Sequence, residues 1–519
     1  MKYIILLFLV LILGLALRTY GLDSRSIWLD ETFSLFESTG HGRQVDALFN
    51  ADKKSGVFLK AGDYKNLLQD DAAQGLKDVS LGLLKTDTQP PLYFFMMHFW
   101  IRYFGGTVFS VRFFSVLLGV VSIICAFLFA SAVFDKKTGL FAALFLAFSP
   151  FAVFYAREAR NYSLILALVL LNAYFLARFV REGKNILLAG FTLTAGLALY
   201  THYFYIFIFL GYLAYFMLFD FKQAMKNKFY IAFFVSLFLL LPWISAVLIN
   251  GYNFRGTQWV FGYRAGPAMV IDWIAKSFSS FFIAIGGFKG VFTALNYFLI
   301  ICLVFFSRAL FRRRREFIFC AIMVFLPIVS LGLIDIFAKA YLLKHLRYYT
   351  FSFAGLIPLA GYALSSGWQK KIFRPLIIFI FALLMVNSFF VANGYAYKDV
   401  SLPRPKNASL WINRQLKDKK GAVILNNTRA SVMPNIFYLS DDVMVAPVGS
   451  LKHFTDTLKE LKKGGVEAVF VVYNIFEDNL SQTLSERNVL SWVEYAGNSG
   501  LKQEKIEFSE DGITIFKLN

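Results

Sequence analysis

Runs of roughly 17 to 25 mostly apolar residues recur from Met1 to about Asn393, each long enough to cross a bilayer. The chain has 519 residues, 58% of them hydrophobic, and a mean hydropathy of +0.57. Soluble domains are nearer half apolar and carry much shorter apolar runs. From about residue 396 the composition becomes that of an ordinary soluble domain. The expectation is a mainly α, polytopic membrane domain over 1–395 and a small extracytoplasmic α/β domain over 396–519. Met1–Leu17 resembles a signal peptide in length, but Arg18-Thr19-Tyr20 follows it instead of a small-residue cleavage site, so it is read as a retained first helix.

The net charge of +20 would suit nucleic acid, but its placement argues for a membrane instead. Lys and Arg collect in short gaps between apolar runs, where they orient helices and meet anionic lipid. Five gaps are basic: Lys136-Lys137; Arg178, Arg181 and Lys184; Lys222, Lys226 and Lys228; Arg308 with Arg312 to Arg315; and Lys370, Lys371 and Arg374. These are expected on the cytoplasmic side of the cytoplasmic membrane. The intervening gaps at 157–160, 201–205, 251–271 and 339–348 are expected outside. One helix on each side of every gap gives eleven spans, at about 1–18, 110–133, 139–156, 161–180, 186–201, 203–220, 229–250, 290–307, 316–338, 349–367 and 374–394. The N-terminus is then inside and the C-terminal domain outside. Charge at the first helix disagrees, because Arg18 and Arg25 oppose Lys2. Segments 91–104 and 272–285 are read as lying along the outer surface or re-entering from it; if both span, the count is thirteen. Cys125, Cys302 and Cys320 all fall in apolar runs and indicate neither disulfides nor a Cys-based metal site.

The external loop 19–110 is far longer than a connector needs to be. It opens with Trp28-Leu29-Asp30-Glu31-Thr32, two carboxylates close to a membrane helix end. Such groups are costly there and point to function. Equally, they could be acids favoured in the first turn of a surface helix. Thr86-Asp87-Thr88-Gln89-Pro90-Pro91-Leu92-Tyr93 reads either as a turn before a helix or as part of a pocket. Tyr155-Ala156-Arg157-Glu158-Ala159-Arg160-Asn161-Tyr162 places two arginines three apart, as on one helix face, at an external gap. A guanidinium suits bidentate contact with phosphate, although a solvated helix end explains the same pattern. Lys344-His345-Leu346-Arg347-Tyr348-Tyr349 marks a further external helix end, as cation site or interfacial anchor.

In order and spacing these motifs resemble the bacterial branch of the GT-C glycosyltransferases, closest to the family-39-like group that includes protein O-mannosyltransferases and aminoarabinose transferases. The resemblance covers roughly residues 1–395. It implies a GT-C-like membrane fold and a polyprenyl-phosphate sugar donor taken from the outer leaflet. It also implies a carboxylate, at Asp30, acting near the acceptor as base or orienter. Gln89 stands where many relatives have His or Lys, and the nearest acid to Asn161-Tyr162 is Glu158, so those contacts depart from the pattern.

Chemistry gives a parallel argument. Sugar transfer passes through an oxocarbenium-like transition state and needs a carboxylate on the nucleophile side. Asp30 is the first candidate and Glu31 the second. A lipid phosphate is already a good leaving group, so positive charge matters more than a protonating acid. Arg157, Arg160 and Arg347, with Tyr162 and Tyr348, are the candidate donor-phosphate residues. Asp87, Gln89, Tyr93, Glu158, His202 and His345 make up the candidate substrate pocket. A single displacement would invert the anomeric centre. No cofactor is indicated; a divalent ion held by Asp30 and an acid from another loop stays open. The expected partners are the donor lipid, a lipid, glycan or protein acceptor, and the bilayer, with no nucleic acid. The alternative is a flippase or other transporter, although neither internal repeats nor mid-membrane polar clusters are visible. A non-catalytic scaffold leaves the long loop unexplained.

In the C-terminal region, Asn407 to Lys420 and Phe454 to Lys463 are expected as helices. Ala422 to Leu425, Val443 to Val448 and Glu467 to Tyr473 are expected as strands of a partly parallel sheet.

Overall fold

The computed structural model describes residues 1–50, 59–86, 89–219, 221–250, 260–262, 265–281, 300–301, 304–305, 313–394, 405–417, 419–426, 429–474, 486–498, 502–508 and 513–518. Two compact units emerge. One comprises Met1–Leu22, Asp87–Tyr93 and Arg112–Tyr397; the other comprises Asp23–Thr86, Phe94–Val111 and Lys398–Asn519. The contacts thus group most of the long first loop with the C-terminal region, a division different from the boundary drawn at residue 396.

The first unit is helical because its apolar runs must satisfy their backbone polar groups internally. Among the described residues, six helices are long and apolar enough to cross a membrane: Lys2–Thr19, Val108–Val133, Tyr162–Glu182, Gln223–Ile249, Arg314–Phe337 and Lys371–Ala392. Lys136–Phe148 and Pro150–Ala156 form a pair bent by 61° that makes a seventh. The bend falls at Ser149-Pro150, where proline cannot continue the preceding ladder but suits a first helical turn. Asn185–Leu199, Tyr205–Leu218 and Thr350–Gln369 stand where further spans are expected. The span expected at 290–307 lies largely outside the described residues. The chain is a multi-pass membrane protein.

Leu92–Phe104 and Pro267–Ser280 have 13 and 14 residues. At 1.5 Å per residue they reach about 20 Å, short of the ~30 Å hydrocarbon core. Both are shorter than any of the six long apolar helices above.

Small residues let the membrane helices pack closely, where no hydrophobic force draws helices together in lipid. A Cβ at Gly361 would stand 2.8 Å from the backbone nitrogen of Ala142. One at Gly355 would stand 2.8 Å from the Cys320 carbonyl oxygen. Any larger residue at either position would force the helices apart.

The second unit holds a six-stranded sheet among its described residues, in the order β1-β3-β2-β4-β6-β5. The strands are β1 (Leu59–Lys60), β2 (Gly421–Asn426), β3 (Met444–Val448), β4 (Ala468–Asn474), β5 (Gln503–Phe508) and β6 (Ile513–Leu518). β3, β2 and β4 are mutually parallel; β6 and β5 continue antiparallel. Strand β2 is buried on both faces, which explains its continuous apolar run. Leu451–Lys463 and Glu486–Asn498 cover one face through Phe454, Leu458, Leu461 and Trp492. The three strands and two helices expected here are present, with Pro405–Gln415 as the first helix. The β5–β6 hairpin and β1 were not foreseen. Strand β1 comes from the first loop and pairs antiparallel with β3. Lys65 Nζ donates to Asp441 Oδ1 at 2.6 Å, and the Ile27 N–H donates to the Tyr438 hydroxyl at 2.6 Å. The described residues of 23–86 are therefore a folded part of this unit.

Candidate functional site

In the second unit, Asp30 and Glu31 occupy the first turn of the helix Leu29–Ser38. Acids there meet unpaired N–H groups and the positive end of the helix dipole. Glu31 is fully buried, and its carboxylate accepts the Trp28 N–H at 3.3 Å. Asp30 is partly exposed. The two neighbours are thus separated by environment: Glu31 is buried and closes the helix start, and Asp30 is partly exposed.

In the first unit, the arginines divide by what they touch. Arg157 and Arg160 do not share a helix face, because Pro150–Ala156 ends before them and Tyr162–Glu182 begins after them. Arg157 is 1% exposed. One terminal nitrogen donates to the carbonyls of Arg18 (2.9 Å) and Tyr20 (2.6 Å). The other donates to those of Gly21 and Ala392, both at 2.9 Å. These carbonyls belong to the C-terminal ends of Lys2–Thr19 and Arg374–Ala392, where helices leave acceptors unpaired and the dipole is negative. Its two terminal nitrogens are thus engaged by carbonyls at helix ends. Arg18, also buried, donates to the carbonyls of Leu146 (3.0 Å) and Ala147 (2.8 Å) at the end of Lys136–Phe148. Its charge is therefore internal. Arg112 donates to the Leu22 carbonyl at 2.9 Å.

Arg160 turns elsewhere. Its guanidinium reaches Gln89 Oε1 at 3.4 Å, and its carbonyl accepts from Ser115 Oγ at 3.4 Å. Ser115 in turn shares a 2.9 Å hydrogen bond with the Tyr93 hydroxyl. The Leu92 N–H donates to the Tyr200 carbonyl at 2.9 Å, and Asn161 Nδ2 to that of Thr201 at 3.0 Å. These bonds gather residues 89–93, 157–162 and 200–202 into one region. Glu158 is buried there, and the Tyr162 ring packs edge-on against Tyr155 at 5.0 Å. Asp87 lies outside the described residues.

His202 links this region to the late motif. Its ring packs against Phe351 at 5.2 Å and Tyr348 at 6.2 Å, and His345 packs against the same Tyr348 at 6.1 Å. The Arg347 guanidinium lies 5.4 Å from the Tyr348 ring. His202 Nδ1 accepts the Phe204 N–H at 3.1 Å, so the neutral ring carries its proton on Nε2. Burial, together with the nearby charges of Arg160 and Arg347, lowers the His202 pKa from 6.5 to about 3. Arg160 and Arg347, nearly two hundred residues apart in sequence, thus act on one imidazole. Two guanidinium groups, an imidazole and a tyrosine are thereby brought into one region.

His202 is expected to stay neutral at pH 5, read from the imidazole signals of labelled protein; protonation near pH 6.5 would remove it from this arrangement. The unfolded chain binds the proton near 6.5 and the folded chain near 3, so stability falls as pH drops through that window.

Among the described residues, no group of three or more His, Cys, Asp and Glu side chains is placed to hold a metal ion. Sequence reasoning missed Ser115 and the structural roles of Arg18 and Arg112. It also missed Asp335, although an acid in the otherwise uncharged stretch 317–338 is itself a signal.

A family model for dolichyl-phosphate-mannose-protein mannosyltransferases matches residues 88–245. No curated protein matches the sequence. The fold matches that of ArnT from Cupriavidus metallidurans, with TM-score 0.57 and 13% identity over 98% of this chain and 97% of that one. ArnT bound to undecaprenyl phosphate gives 0.56 and 12% over the same shares. The Archaeoglobus fulgidus oligosaccharyltransferase tethered with an acceptor peptide gives 0.51 and 12%, over 91% of this chain and 69% of that one.

Proposed function

Starting from a chain that has the GT-C glycosyltransferase fold, we propose that it is an inverting glycosyltransferase. It moves a sugar from a polyprenyl-phosphate donor to a lipid, glycan or protein acceptor at the outer face of the cytoplasmic membrane. The observation that carries this reading is that Arg160, next to the Asn161–Thr201 hydrogen bond, and Arg347, stacked on the Tyr348 ring that packs against His202, are held in one region. The similar ArnT binds undecaprenyl phosphate, and a lipid phosphate is the anion such a cluster suits.

In this reading Arg160, Arg347 and the His202 Nε2–H hold the phosphate and stabilise the charge that grows on it as the glycosidic bond breaks. Tyr348 packs beneath Arg347 and keeps its planar fork oriented. Asp30 orients the acceptor hydroxyl and takes its proton as the new bond forms. One displacement inverts the anomeric carbon. Arg157 has no part in donor binding.

Purified protein in proteoliposomes, given a polyprenyl-phosphate sugar and candidate acceptors, is expected to transfer the sugar. Translocation of the donor lipid without transfer would make it a transporter instead. The basic gaps are placed in the cytoplasm by the Lys/Arg bias. A C-terminal reporter is therefore expected to be active only outside; activity confined to the cytoplasm would reverse the orientation.

A further inference from the structure

Asp335 stands near the end of the helix Arg314–Phe337 and is completely buried. A carboxylate at a membrane helix end is costly unless its oxygens are used. Both are. Oδ1 accepts the Leu342 N–H at 2.7 Å, and Oδ2 accepts the Leu343 N–H at 2.8 Å. These amides open the short 3-10 turn Leu342–Lys344, where the first N–H groups have no partner within the turn. The next turn, Leu346–Tyr349, carries Arg347 and Tyr348.

The rest of this segment is shaped around the same anchor. Between the helix and the turn, Lys339 adopts φ 53°, a left-handed conformation uncommon outside glycine. Ala340 then pairs with Phe261, and the Tyr341 N–H donates to the Val260 carbonyl at 3.2 Å. From the far side the Tyr349 hydroxyl donates to the Leu343 carbonyl at 3.0 Å. Leu343 is thus gripped at both its N–H and its C=O. The sharp reversal after the helix, secured by one carboxylate, aims the following residues.

We propose that Asp335 is a positioning residue for the donor phosphate site. It fixes the turn 342–349, and through that turn the placement of Arg347 and Tyr348, without itself touching the donor. The inference rests on the donor reading of Arg347 given above. Asp335→Asn keeps the size but replaces one acceptor oxygen with an NH2 group facing a backbone N–H, so one of the two bonds is lost and two donors oppose each other.

The test compares Asp335→Asn, Asp335→Glu and Arg347→Ala in the full chain in nanodiscs. It measures hydrogen exchange at 342–344, binding of undecaprenyl phosphate, and the KM and kcat of transfer. Asp335→Asn is expected to speed exchange at Leu342 and Leu343, weaken undecaprenyl phosphate binding and raise donor KM by about 10-fold, and leave kcat within about threefold. Asp335→Glu, which keeps two acceptor oxygens, is expected to recover part of the affinity. If Asp335→Asn does not fold, Tyr349→Phe loosens the same turn from its other side and should weaken donor binding in the same sense. Faster exchange with unchanged donor affinity, while Arg347→Ala weakens it, overturns the positioning role alone. If Arg347→Ala itself leaves donor affinity unchanged, the donor reading of this turn fails and the inference falls with it. A lowered melting temperature with unchanged exchange, KM and binding reduces Asp335 to a merely structural residue.

Discussion

Asp30→Asn is expected to lower sugar transfer by about 10²-fold or more, mainly in kcat, with donor affinity largely kept. The substitution preserves shape and removes the base. It acts on the partly exposed member of the Asp30–Glu31 pair, whose neighbour is buried and already engaged in closing the helix start. Glu31→Gln should therefore show itself chiefly in stability, by about 1 kcal/mol, the usual scale for a lost helix cap. The split between the two variants is the informative result. If Asp30 merely favours the first turn of its helix, Asp30→Asn costs a few tenths of a kcal/mol and leaves turnover almost intact. A near-wild-type rate would take Asp30 out of the proposed mechanism.

Arg157→Ala is expected to destabilise the membrane unit strongly, by about 3 kcal/mol or more. Four carbonyls lose their donor, two of them in fully buried bonds, and each buried group left unsatisfied costs about 1–3 kcal/mol before relaxation. Arg157→Lys should recover only part of this, since an ammonium has three donors and no rigid fork to span two helix ends. Thermal denaturation in detergent reads the effect directly. Normal stability combined with lost undecaprenyl phosphate binding would return Arg157 to the donor site. The contrast with Arg160 is instructive, because the same residue type three positions on reaches Gln89 and influences His202 instead.

The sequence by itself determined the membrane class and the position of most spans. A span is a local property: an apolar run either covers the bilayer or it does not, and neighbours elsewhere in the chain do not alter its length. For the same reason the runs at 422–425, 443–448 and 467–473 were legible as strands, since burial writes itself into consecutive residues. The motif residues also stood out, being charged groups at helix ends where charge is costly.

What those charges do was decided only in three dimensions. Arg157 and Arg160 look equivalent in sequence, yet one binds carbonyls and the other reaches Gln89. A backbone carbonyl leaves no mark on residue identity, so an arginine that closes helix ends reads like one that awaits a phosphate. Only the packing that brings the ends of Lys2–Thr19 and Arg374–Ala392 beside Arg157 separates the two. The same holds for β1, two residues that become a strand solely because β3 offers an edge. It holds again for Asp335, whose oxygens find Leu342 and Leu343 only because the chain reverses at Lys339. Local hydrophobicity sets where the chain crosses the membrane; pairing between distant segments sets which of its polar groups are spent on holding the fold and which remain to meet a substrate.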